Sequence, residues 1–123
     1  MIRILIFTLA LLYTTSASAI TKLLMYHNPL CGHCISFIKE VVPTFYYDLP
    51  DKFMEDKLEL IIIERNKEPF WFAMAYNENR IKPLRGTPTF IVWNGRKELA
   101  RLVGYTNKES FYNRLNEIFK GDW

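Results

Sequence analysis

Cys31 and Cys34 are the only cysteines of the chain, and they stand together as Cys31-Gly32-His33-Cys34. A stapling disulfide works by closing a loop, and a bridge between such near neighbours closes almost none. The pair therefore points to reactivity. Two thiols on the first turn of a helix can cycle between dithiol and disulfide, provided that one of them forms a thiolate readily. A helix start helps, because its unpaired backbone N–H groups and the positive end of its dipole favour negative charge on sulfur. Cys31 is the expected nucleophile. Cys34, one turn on, is the resolving thiol that attacks the mixed disulfide on Cys31 and releases product. Gly32 and His33 are the redox-tuning positions: a protonated His33 imidazole would favour the Cys31 thiolate and hence the reduced form.

The same stretch admits a second chemistry. His27, Cys31, His33 and Cys34 include the soft thiolates that suit copper(I) or zinc. A metal-binding protein or copper chaperone is therefore the alternative. Against it, ligands divided between a strand end and one helix turn need not converge. On the redox reading neither a metal nor another cofactor is expected.

These residues need elements to hold them. Lys22 to His27 reads as a short buried strand, and Asn28-Pro29 turns the chain. A helix starts at the cysteines. Cys34, Ile38, Val41 and Phe45 recur on one helical face, and Pro43 should kink or end the helix. Leu58 to Glu64 is a strand, and its unbroken run Ile61-Ile62-Ile63 predicts a central position covered on both faces. Glu64 ends that strand on the side of the dithiol. It is a candidate proton acceptor for Cys34, although a solvated strand-end charge is the plainer reading. Pro69 can open a second helix at its first turn. Phe70-Trp71-Phe72 on that helix could dock a partner, but packing on the core is the expectation.

Thr89 to Trp93 is the next strand. Asn94-Gly95 signals a type I′ hairpin, with Glu98 to Val103 returning antiparallel. Thr106-Asn107-Lys108-Glu109 reads as a capping box for a last helix with Phe111, Leu115, Ile118 and Phe119 on one face. The order is β-α-β-α-β-β-α, an α/β fold. The first β-α-β should pair parallel through a right-handed crossover and the hairpin should add antiparallel strands, giving a central mixed sheet flanked by helices. The dithiol then falls at the C-terminal end of the first strand, where open α/β sheets place their chemistry.

Residues 1–19 read as a signal peptide: Arg3, an apolar stretch from Ile4 to Leu12 broken only by Thr8, and Ala17-Ser18-Ala19 as a cleavage pattern. The apolar stretch is much shorter than the roughly 20 residues of a spanning helix, so no stable membrane anchor is expected after cleavage. Residues 20–123 would form one domain, exported to a periplasm or secreted. With 50% hydrophobic and 15% aromatic residues, disorder is excluded. The formal net charge is only +3 and the basic residues are scattered, Arg96-Lys97 being the longest cluster, so no nucleic-acid partner is expected.

Together these features make the chain resemble the thioredoxin-fold thiol–disulfide oxidoreductases. The resemblance is carried by strand, Cys31-Gly32-His33-Cys34 and helix, by Leu84-Arg85-Gly86-Thr87-Pro88-Thr89-Phe90, and by the closing hairpin with Val103-Gly104-Tyr105. It covers nearly all of residues 20 to 120. It implies a cis Thr87-Pro88 bond facing the dithiol, with Thr87 and Pro88 binding the extended strand of a substrate. Phe37 to Pro43 and Arg101 to Tyr105 are similar to the small periplasmic thioredoxins of bacterial sulfur oxidation. That implies reduction of disulfides on protein partners, served by a redox partner that donates or accepts electrons.

The chain departs from the thioredoxin pattern in four places. Leu30 stands where thioredoxins usually have Trp. No acid occurs between Ile20 and Lys39, where they bury an Asp. Pro43 lies further from the second cysteine than their helix proline does. Gly-His between the cysteines is the pattern of protein disulfide isomerase. The resemblance therefore implies the fold more firmly than the direction of electron flow.

Overall fold

The computed structural model describes residues 21–55 and 57–121. The expected signal peptide, residues 1–19, lies outside the described residues. In chain order the elements are β1 (Lys22–His27), α1 (Gly32–Glu40), α2 (Phe45–Asp48), α3 (Asp51–Glu55), β2 (Glu59–Glu64), α4 (Phe70–Asn77), β3 (Thr89–Trp93), β4 (Glu98–Val103) and α5 (Lys108–Ile118). The strands form one mixed sheet in the order β2-β1-β3-β4. β1 pairs parallel with β2 and antiparallel with β3, and β4 runs antiparallel to β3.

Alternation along the central strands splits the core into two layers. Leu23 and Met25 of β1 join Phe90 and Val92 of β3 against α1, α2, α3 and α5. Leu24 and Tyr26 face the other way, with Ile91 and Trp93, against Phe72 and Ala75 of α4. Phe37 anchors α1 in the first layer. It is fully buried and meets Phe90, Tyr105 and Phe111 edge-on, with centroids 4.7, 5.4 and 5.0 Å away. Such pairs add to the area that the rings bury.

Proline chemistry ends α1. Its last bond runs from the Val41 N–H to the Phe37 carbonyl, and a 3-10 turn over Val42–Thr44 follows. Pro43 has no N–H to carry the α-helix on. The chain restarts in the short α2, where Phe45 still reaches the core beside Cys34 and Val41, so the expected face survives the break.

Four expectations are corrected. β2 is an edge strand, and Ile62 on it is 41% exposed. Its β-branched run reports strand preference rather than position, and the strands covered on both faces are β1 and β3. The hairpin is not a two-residue type I′ turn. Trp93 pairs with Glu98, leaving a longer loop in which the Asn94 side chain accepts from the N–H groups of Arg96 and Lys97. That side-chain turn competes with the tighter one. Asn107, rather than Thr106, caps α5, accepting from the Ser110 N–H at 2.9 Å. Finally, of Phe70-Trp71-Phe72 only Phe72 enters the core, and Phe70 is 79% exposed. An eight-residue helix on one sheet face can bury one stripe, whatever its other side chains are.

Candidate active site

β1 delivers the chain to the dithiol through a tight turn. The Asn28 side chain accepts from the Leu30 N–H, and the Asn28 carbonyl accepts from the Cys31 N–H at 2.9 Å. Cys31 is the N-cap of α1. Its extended backbone leaves the sulfur free to accept from the Cys34 N–H at 3.3 Å. A Ser or Asp oxygen does this in ordinary helices; here the cap is the reactive atom. Cys31 is partly exposed, Cys34 is fully buried, and both are free thiols. Leu30 stands beside them, 91% exposed.

The environment divides the two sulfurs. Burial pushes the Cys31 thiol up, but hydrogen bonds outweigh it: from the Cys34 thiol, from the Thr87 side chain, and from the N–H groups of Cys34 and His33. The net shift is downward. Burial dominates at Cys34, and donating its proton to Cys31 adds to it, so this thiol is pushed up to about 11 from an ordinary 9.0. The Asn28 backbone pulls it back only in part. Cys31 is thus the thiol that loses its proton more readily, and Cys34 is the one that keeps it. Such a pair can open a disulfide at Cys31 and then close on itself.

The Thr87 segment completes the site from the start of β3. The thiol of Cys31 donates to the Thr87 carbonyl at 3.4 Å, and the Thr87-Pro88 bond is cis. Two contacts fix this segment. The Thr89 hydroxyl donates to the Gly86 carbonyl at 2.6 Å, and the Gly104 N–H reaches the Pro88 carbonyl at 2.8 Å. Gly104 has φ of +86, a conformation that few other residues accept. Upstream, the Arg101 guanidinium bonds the carbonyls of Lys82 and Pro83 at 2.9 Å while paired with the buried Glu98. Asn28, Gly104 and Arg101 were not singled out from the sequence as site-building residues. The Gly following a strand end was the one available sign.

The other expected residues are placed less centrally. His33 is exposed, and its contribution to the Cys31 sulfur comes from its backbone N–H. Gly32 opens α1, and a β-carbon there would meet nothing within 4 Å. Glu64 ion-pairs with Lys67 at 3.2 Å, and no carboxylate is among the groups that shift Cys34. His27 is buried on the Met25 side of β1, and its Nδ1 has no hydrogen-bond partner. The structure does not gather His27, Cys31, His33 and Cys34 into a ligand set. Among the described residues, no group of three or more His, Cys, Asp or Glu is arranged to hold a metal. Among them too, no helix is long and apolar enough to cross a membrane.

Known structures share this fold. The periplasmic thioredoxin SoxS from Paracoccus pantotrophus, in its reduced form, superposes with a TM-score of 0.58 at 25% identity, over 81% of this chain and 96% of that one. The fold is that of thioredoxin. Thioredoxin f2 from Chlamydomonas reinhardtii has a TM-score of 0.57 at 13% identity, covering 87% of this chain and 86% of its own. The thioredoxin of Trypanosoma brucei brucei gives 0.52 at 16%, covering 84% and 78%. At those identities the likeness concerns the fold alone. No protein-family model matches the sequence, and no curated protein sequence does. A thioredoxin fold with a dithiol at the head of its first helix makes the chain a thiol–disulfide oxidoreductase.

Proposed function

We propose that the protein is an exported thiol–disulfide oxidoreductase that reduces disulfides on protein partners. The dithiol at the head of α1 carries this reading: Cys31 is partly exposed beside Thr87, and Cys34 is buried one turn on. The Cys31 thiolate attacks one sulfur of a substrate disulfide, the S–S bond breaks, and the departing sulfur takes a proton. Cys34 then loses its proton and attacks the Cys31 sulfur, releasing the second substrate thiol. The substrate gains two electrons and two protons, and the protein is left with a Cys31–Cys34 disulfide. A dithiol reductant in the same compartment must restore it. Thr87 borders the attacking Cys31 sulfur, and Thr87 and Pro88 hold the substrate strand.

Export is supported by the pattern of residues 1–19 and by the periplasmic setting named for SoxS. Protein purified from the exported fraction should begin at Ile20; an uncut chain in the cytoplasm would remove this part of the reading. Reduction of insulin by the purified protein tests the rest. Wild type should turn over with a dithiol donor, Cys31→Ser should be inactive, and Cys34→Ser should stop at a mixed disulfide on Cys31. Equal rates for wild type and Cys31→Ser would overturn the assignment. Metal analysis of the same preparation tests the copper or zinc alternative, for which bound metal at one equivalent would speak.

A further inference from the structure

A cavity of about 530 Å³ opens beside the dithiol, on the α4 side of the sheet. It shares Thr87 with the active site, and Thr87 is the residue whose carbonyl meets the Cys31 thiol. Its apolar part is aromatic: Tyr26 and Phe72 stack nearly parallel, 5.8 Å apart, with Tyr76 also on the lining. Its charged part is unbalanced. Arg65, just after β2, and Arg85, two residues before Thr87, both line it. The one carboxylate there, Glu68, already accepts from the Tyr26 hydroxyl at 3.3 Å and the Asn66 N–H at 3.1 Å. Among the described residues, no carboxylate pairs with Arg65 or Arg85. Arg80 and Arg101 ion-pair with Glu78 and Glu98, and Arg114 bonds two carbonyls.

Two unpaired guanidiniums above an aromatic floor suit a carboxylate carried on a partly apolar chain. Position gives the register. An extended chain advances about 3.3 Å per residue, so a strand running beside the segment from Thr87 to Arg85 brings a residue about two places from the attacked cysteine to the cavity.

We infer that this cavity is a specificity subsite for an acidic residue close to the substrate cysteine, so that the preferred substrates are protein disulfides flanked by Asp or Glu. The assignment rests on the proposed reductase activity and names its substrate class. Arg65 and Arg85 are exposed. They act on the encounter and on binding, leaving the sulfur chemistry to the dithiol.

Two disulfide-linked peptides, identical except for Glu or Lys two residues from the cysteine, test this. Wild type should favour the Glu peptide in kcat/KM by roughly threefold to tenfold, the scale of two partly exposed charge contacts. The preference should shrink in high salt, where screening shortens the reach of exposed charges. The double variant Arg65→Glu, Arg85→Glu should reverse it and favour the Lys peptide. Equal rates for the two peptides on wild type would overturn the subsite, and so would a Glu preference that survives the charge reversal. Failure of wild type to reduce either peptide would instead overturn the reductase reading, and the subsite with it.

Discussion

The Cys31 thiol and the Thr87 carbonyl oxygen lie 3.4 Å apart, although 56 positions separate the residues in the chain. The sheet brings them together. β1 and β3 are antiparallel neighbours, and Tyr26 near the end of β1 pairs with Thr89 at the start of β3. The turn after β1 and the segment before β3 therefore emerge at the same edge of the sheet. The reactive sulfur sits where a substrate strand lying along Thr87 would bring its disulfide.

The two sulfurs should titrate far apart. In the reduced protein, alkylation by iodoacetamide should rise at Cys31 with a midpoint below the ordinary 9.0, and at Cys34 only towards about 11. Mass spectrometry of the labelled peptides reads both. Earlier labelling of Cys34 would contradict the assignment of roles.

The same shifts set a stability profile. The Cys34 pKa is raised, so its contribution is complete below 9.0 and is lost as pH climbs from there through about 11. Cys31 is depressed and acts in the opposite sense. Its contribution is present above the ordinary thiol pKa and is lost as pH falls through its folded value. Urea unfolding of reduced Cys34→Ala should lose less stability than wild type as pH climbs from 9.0, and the loss that remains belongs to Tyr26, Tyr105 and Tyr112, whose hydroxyls burial also pushes up.

His33 should act on the poise through its backbone. His33→Pro removes the N–H that helps hold the Cys31 thiolate, and proline is tolerated in a first helical turn. The Cys31 pKa should rise and the potential fall, by about 30 mV for each tenfold change in the exchange equilibrium. His33→Ala keeps the N–H and should move the potential much less. Glutathione titration of both variants decides; equal shifts would assign the effect to the imidazole.

Phe37→Ala should destabilise the protein by about 3–5 kcal/mol, the usual cost of emptying a buried aromatic site. Phe37 lies three residues after Cys34 and touches three rings, so the loss should also loosen the base of α1. Urea midpoints give the first effect. The second should appear as a shift of the Cys31 alkylation midpoint towards that of an ordinary thiol.

Asn107→Ala should cost about 1 kcal/mol, the loss of one helix cap. Thr106→Ala should stay within about 0.5 kcal/mol, as expected for a surface position outside the cap. Thermal unfolding separates the two, and the reverse ranking would restore the capping box at Thr106.

The sequence by itself determined the local features, because local chemistry writes them. The spacing of Cys31 and Cys34, the Asn28-Pro29 turn, the β-branched run of β2 and the apolar stripe of α5 all express short-range preference. They sufficed for the order of the main elements and for the dithiol at a helix start. Position within the sheet was decided only by the tertiary structure. Ile61-Ile62-Ile63 looks the same in a central strand as at an edge, since strand preference records a fit to pleated backbone rather than the number of neighbours. The two short helices α2 and α3 were missed because each is too short to show a periodic stripe. The opposed pKa values of the cysteines needed the fold as well. They come from burying Cys34 in the core, where its thiol meets Cys31, and from bringing Thr87 to Cys31, and desolvation and long-range hydrogen bonds leave no trace in residue spacing.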